Sequence, residues 1–203
     1  MITRGSETAH SWLTLKEAAV LACVPEKKVR HELASRIIPH RKGSTHAFHP
    51  REVFFLRVIS GLPFELSRKD RRDLYDVLTK REAARGAWIR RSDRLTLKGA
   101  VEADLQIDAI RRELVERLWI FRRGSRRVEV RRDVAGGEPV FSGTRIPIRH
   151  VGQLVRRGRP PAELREDFPS LTEDDFEFAR LFAELGKPPG RPKRKRLRLR
   201  RQT

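Results

Sequence analysis

Apolar positions first settle into a helical rhythm at Leu15, Ala18, Ala19 and Ala22, which stand at i, i+3, i+4 and i+7. Thr14-Leu15-Lys16-Glu17 opens that helix as a capping box, the Thr hydroxyl and the Glu carboxylate each satisfying an orphan backbone donor. The small side chains on the stripe let a second helix come close. Cys23-Val24-Pro25 ends the first helix, and Pro25 suits the first position of the next. In the second helix Val29 and Leu33 face inward. At about 100° per residue Lys27, Lys28, His31 and Ser35 fall on the far side, with Arg30 at its edge. Ile37–Arg41 and His46–Phe48 are expected as the two strands of a small hairpin turning at Lys42-Gly43-Ser44. His49-Pro50-Arg51-Glu52-Val53 starts a third helix carrying Phe54, Phe55, Val58, Ile59 and Leu62. Ser67 caps a fourth, Ser67–Lys80, whose apolar face is Leu74, Val77 and Leu78.

Trp88–Lys98 fits a hairpin with Leu95 and Leu97 on one face. The pattern then predicts a long helix over Asp104–Phe121, with Ile107, Ile110, Leu114, Leu118 and Phe121 in one stripe that fits an internal core or a twin subunit. Arg122–Arg127 is expected to be a basic linker. Beyond it Val128–Val130 and Pro139–Phe141 are short strands separated by the Gly136-Gly137 turn. Pro147 leads into a helix with Val151, Leu154 and Val155 that stops at Gly158. Pro161–Asp167 is a short helix. Thr172 and Asp175 cap the last one, with Leu171 and Phe176 as a hydrophobic staple and Phe178, Leu181, Phe182 and Leu185 buried.

The expected fold is therefore mainly α with two small β-hairpins. Its parts are a mobile segment 1–11, a helix-turn-helix head with a basic wing over 12–64, and a helical connector over 65–127 available for dimerisation. A small three-helix, helix-turn-helix-like unit over 128–186 and a disordered tail over 187–203 complete it.

Charge sharpens this picture. The 203 residues carry a net +19, which points to a polyanionic partner, most simply nucleic acid. Residues 1–66 carry +4, residues 67–127 +8, residues 128–186 −2 and residues 187–203 +9. The last folded unit thus has no general pull toward DNA, whereas the tail has. One cysteine leaves no disulfide framework within the chain and fits a reducing cytoplasm. No apolar run approaches the roughly 20 residues that span a bilayer, and no membrane role is expected.

On the second helix Lys27, Lys28, Arg30 and His31 are candidates to meet bases and phosphates at a major groove. Arg41 and Lys42 on the wing suit phosphates better than base edges. His40, His46 and His49, with Cys23 nearby, match no standard zinc spacing; packing or phosphate contact suits them better, and no metal or cofactor is expected. Glu173-Asp174-Asp175 reads as the acidic first turn of a helix rather than a metal site. Without a nucleophile beside an evident base, and without a glycine-rich phosphate loop, the chain is not expected to be an enzyme.

Helix, turn, helix, basic wing, helix is also the order of MerR-type DNA-binding domains. The Thr14-x-x-Glu17-Ala18-Ala19 start and the His49-Pro50-Arg51-Glu52-Val53 start resemble that family. Further on, Gly136-Gly137-x-Pro139-Val140-x-x-Gly143-Thr144-Arg145-Ile146-Pro147-Ile148 precedes a helix, a Pro-x-Glu-Leu helix and Phe168-Pro169-x-Leu171-Thr172. This resembles a small bacterial domain family of unknown function, often encoded beside PIN-domain ribonucleases and counted among VapB-type antitoxins. Phe141 departs from it, where the family usually has a smaller aliphatic residue. The resemblance implies a cytoplasmic, dimeric antitoxin that binds its own operator DNA, joins the nucleoid when bound, and neutralises a VapC-like PIN-domain toxin.

Candidate partner contacts follow. Arg145 can pair with a partner carboxylate, or pin the local turn by bridging to Asp133 or Glu138. Arg196, Arg198 and Arg200 alternate with Leu197 and Leu199. They can extend a partner's sheet edge, meet an acidic nuclease centre, or act as a nonspecific phosphate-binding tail. A free-standing MerR-like regulator is the runner-up reading, and a protein adaptor whose head leaves DNA alone is the third.

Overall fold

A computed structural model describes residues 12–39, 48–79, 88–91, 93–97 and 103–186. The described chain is mainly helical, with small antiparallel sheets. In order it forms α1 (Leu15–Ala22), α2 (Glu26–Ala34), α3 (Pro50–Ser60) and α4 (Arg68–Thr79). A three-stranded sheet follows, β1 (Trp88–Arg91), β2 (Arg94–Leu97) and β3 (Ala103–Gln106), leading into α5 (Ile107–Ser125). β4 (Val128–Glu129) and β5 (Val140–Phe141) pair as a short hairpin before α6 (Ile148–Arg156), α7 (Pro161–Asp167) and α8 (Glu173–Glu184).

Local chemistry sets most helix ends. The Thr14–Glu17 box forms as read, the Glu17 N–H donating to Thr14 Oγ1 at 3.2 Å and the Thr14 N–H to the Glu17 carboxylate at 2.7 Å. Cys23 takes the left-handed region at φ 55° and stops α1. Pro25 stands just outside α2 as its N-cap, one place earlier than the sequence suggested, because its ψ of 143° is extended. His49 and Glu52 cap α3 reciprocally. The Glu52 carboxylate, fully buried, accepts from the His49 N–H at 2.7 Å and from the Tyr75 hydroxyl at 3.4 Å.

Three expectations are corrected. Ile37 and Ile38 lie in a bend and form no strand; both are fully buried in the core of the head. Phe48 instead bridges Leu13 on the other side of the head, through hydrogen bonds of 2.8 and 3.1 Å. The remaining wing positions, 40–47, lie outside the described residues. Second, Ala103–Gln106 is a strand and not the start of the long helix. Leu105 pairs with Leu95, and the Ile107 N–H reaches Asp93 O at 2.9 Å before the chain coils. Third, the basic stretch after Phe121 continues α5 as far as Ser125. Arginines are good helix formers, and cations favour a helix C-terminus.

α5 is the spine of the molecule. Its predicted stripe goes to the core: Ile107, Leu114, Leu118 and Phe121 are buried, with Ile110 packed against them. Toward the head, Arg117 donates to the Val20 carbonyl at 3.0 Å, and Arg57 of α3 pairs with Glu113 at 3.2 Å. On the other side Arg123 meets Asp174 at 2.7 Å and Arg127 meets Asp175 at 2.5 Å. Gly124 lets the Phe178 ring lie against α5, since a Cβ there would sit 2.1 Å from the ring. α6 and α8 approach still more closely, Gly152 facing the Ala179 carbonyl. One continuous cluster of buried side chains runs from Leu13 to Leu181.

Candidate nucleic-acid interface

α2 sits on an alanine floor. Ala18 and Ala22 of α1 are fully buried, and so is Val29 of α2, so the second helix packs as an amphipathic rod. Leu33 is half-buried beside it. The opposite face carries Lys27 and His31, one turn apart, both exposed and without a side-chain partner among the described residues. Arg30 lies on the flank, exposed, in an i,i+4 pair with Glu26 at 3.0 Å. Lys28 is not on the open face as read. It is half-buried, and its ammonium donates to the Ile59 carbonyl at 3.3 Å near the end of α3. At about 100° from Val29, its long stem lies along apolar surface and carries the charge to that helix end. Arg41 and Lys42 lie outside the described residues.

The sequence reading missed the cations that extend this face. Arg36, exposed, holds a left-handed turn at φ 55° directly after α2. Two arginines of α4 close on that turn: Arg68 donates to the Ser35 carbonyl at 3.1 Å, and Arg72 to the Arg36 carbonyl at 2.5 Å. Both are exposed and keep further N–H groups for an anion. From Lys27 through His31 to Ser35 is two helical turns, so the cations line a strip about 12 Å long, close to the width of a B-DNA major groove. A groove of about 570 Å³ runs beside it, between Lys27 and His31 on one side and Phe64 and Leu66 on the other.

A buried ion pair fixes the strip. Glu32, 1% exposed, points inward from α2 and accepts from Arg71 of α4 at 2.9 Å. Glu32 Oε2 and Arg71 Nε are both buried without a hydrogen-bond partner, so the pair is held at one point only. A signal for it existed. Glu32 falls about 60° from Val29 on the helical wheel, and Arg68, Arg71 and Arg72 share one face of α4 at i, i+3 and i+4. What the chain pattern lacks is the distance between them, 39 residues for Glu32 and Arg71.

The second candidate site resolves into a turn. Gly143 takes φ 75°. Thr144 Oγ1 donates to the Phe141 carbonyl at 2.8 Å and accepts from the Ile146 N–H at 3.1 Å, and Pro147 caps α6. The pin is therefore Thr144. The alternative internal bridge from Arg145 is absent; Arg145 is exposed with no ion pair among the described residues, and Asp133 pairs with Arg131 at 3.1 Å. The acidic run is the first turn of α8, each carboxylate matched to an arginine: Glu173 to Arg165, Asp174 to Arg123, Asp175 to Arg127. His49 serves as a helix cap. Arg196, Arg198 and Arg200 lie outside the described residues. No helix among the described residues is long and apolar enough to cross a membrane.

A family match falls in the C-terminal half. Residues 128–183 match the model of a protein family described as "Protein of unknown function (DUF433)". Over 59 residues the chain is 36% identical to "Uncharacterized protein y4eO" of Sinorhizobium fredii (strain NBRC 101917 / NGR234). That similarity takes in 29% of this chain and spans only about a quarter, 27%, of the relative's length. No solved structure matches. The segment that matches the family is the unit of β4, β5 and α6–α8; the cationic strip on α2 lies outside it.

Proposed function

We propose that this chain is a DNA-binding antitoxin: its head reads its own operator, and its C-terminal part holds a PIN-domain ribonuclease of the VapC kind. One observation carries the DNA half. The exposed face of α2 bears Lys27 and His31 and continues into Arg36, Arg68 and Arg72, on a helix braced from behind by buried Val29 and the Glu32–Arg71 pair. A rigid helix with an open cationic face is what a recognition helix requires, and arginines at its end suit flanking phosphates. The MerR-like order of elements supports the same half. The toxin half rests on the VapB-like resemblance of the segment that matches the family of unknown function. Operator sites read by helix-turn-helix heads are commonly two-fold, so two chains act together in this reading. Chemistry on the bound RNA belongs to the partner.

A gel shift with the DNA upstream of the coding region tests the DNA half. Reversing Lys27 and Arg68 to glutamate abolishes the shift in this account; unchanged affinity contradicts it. Co-expression with the adjacent reading frame tests the toxin half. A PIN-domain product that copurifies and loses its ribonuclease activity supports it, and a product that stays apart and active removes it.

A further inference from the structure

Val115 and Trp119 stand one turn apart on the outer face of α5, 58% and 53% exposed. They are the side of the helix left over once Leu114, Leu118 and Phe121 have gone to the core. The helix beneath them is anchored by its buried Leu114, Leu118 and Phe121, with the exposed Arg57–Glu113 pair on the head side and the Arg123–Asp174 pair on the other. Arg123 also lies over the Trp119 ring, 5.0 Å from its centre, which covers one face of the indole. On the helical wheel Arg112, Arg122 and Arg126 fall within about 60° of Trp119. All three are exposed and have no ion pair among the described residues. Glu116 is the one unpaired acid on that face among the described residues.

An aromatic–aliphatic centre with an arginine rim has the make-up of a protein-interface hot spot, where Trp and Arg are enriched. Phosphate binding alone would leave Val115 without a role. The rim sets the sign of the partner. A second copy would bring the same three arginines to the contact, and the chain's own residues 187–203 carry +9. We propose that the outer face of α5 docks an acidic partner protein: a shallow apolar pocket receives Trp119 and Val115, and carboxylates around it meet Arg112, Arg122 and Arg126. This rests on the antitoxin reading. The partner is the PIN-domain nuclease, whose magnesium-binding centre must cluster carboxylates.

The test measures the affinity of the full chain for the PIN-domain protein encoded beside it, with operator binding followed in parallel. W119A and the pair R112E/R122E are compared with the wild type. Each should weaken the complex at least about tenfold, the scale of a hot-spot truncation, and leave operator affinity and helical circular dichroism unchanged. Wild-type affinity in both variants overturns the proposal while leaving the antitoxin reading intact. A wild-type chain that does not bind the nuclease removes the antitoxin reading and this proposal with it. If W119A instead splits a dimer of the chain, or R112E/R122E lowers only nucleic-acid binding, the face belongs to a second copy or to nucleic acid, and the proposal fails.

Discussion

Removing Arg71 probes how α2 is held in place. Glu32 and Arg71 meet at 2.9 Å with side-chain exposures of 2% and 18%. Replacing Arg71 by methionine fills the space but leaves a buried carboxylate unpaired. Breaking a buried pair in this way costs roughly 3–5 kcal/mol. The contact is one-point, with Glu32 Oε2 already unpartnered, so the lower end applies, about 3 kcal/mol. For a chain of this size that corresponds to a fall in melting temperature of roughly 6–12 °C. Glu32→Gln is milder, about 1–2 kcal/mol, because the guanidinium left behind is partly wet and still finds an amide oxygen. The double variant with methionine at both positions should return most of the loss, since two packed apolar chains can replace a buried pair at little cost. Urea and thermal unfolding followed by far-ultraviolet circular dichroism give all three values. An Arg71→Met variant within 0.5 kcal/mol of the wild type, on the roughly ±0.5 scale of surface changes, would show that the pair does not hold α2.

Two further substitutions test the packing and one buried hydroxyl. Gly152→Ala places a Cβ 2.1 Å from the Ala179 carbonyl oxygen, which is backbone and cannot step aside. After the roughly 1 kcal/mol gained in helix propensity, a net loss of about 2–3 kcal/mol is expected. Gly61→Ala, whose added Cβ lies 3.5 Å from Val58 O, should change stability by no more than about 0.5 kcal/mol. Equal unfolding midpoints for the two would contradict the close approach of α6 and α8. Burial, and then the neighbouring Glu52 carboxylate, push the Tyr75 phenol up to about 12 from its ordinary 10. The folded state therefore keeps that proton longer than the unfolded one. Its contribution is complete below pH 10 and is lost as pH rises from 10 through 12. Tyr75→Phe should flatten this alkaline decline in urea titrations, and parallel curves for variant and wild type would exclude it.

Much of the fold was readable because local signals agreed with tertiary packing. Thr14 with Glu17, Ser67 with Asp70 and Thr172 with Asp175 mark helix starts, and each cap forms. Where one signal served two periods, the reading failed. Ala103, Leu105 and Ile107 alternate as a strand while Ile107 also opens the helical stripe, and pairing with β2 decides between them. Ile37 and Ile38 looked like strand residues, but both were needed in the core of the head. Lys27 and His31 were legible as an exposed face because burial of Val29 fixes the rotation of α2. Lys28 was not, because flank positions are decided by whichever neighbour lies alongside. The Arg68, Arg71 and Arg72 contacts with α2 and the turn after it cross 33 to 39 residues, and only the folded chain brings them together.

In the proposed function the exposed face of α2, extended by the α4 arginines, meets the phosphates of a duplex. The most direct measurement is the salt dependence of operator binding for the wild type and for Lys27→Ala, Arg68→Ala and Arg72→Ala. Each variant should lower the slope of log K against log salt by about one. Wild-type slopes in all three would show that the strip does not touch DNA.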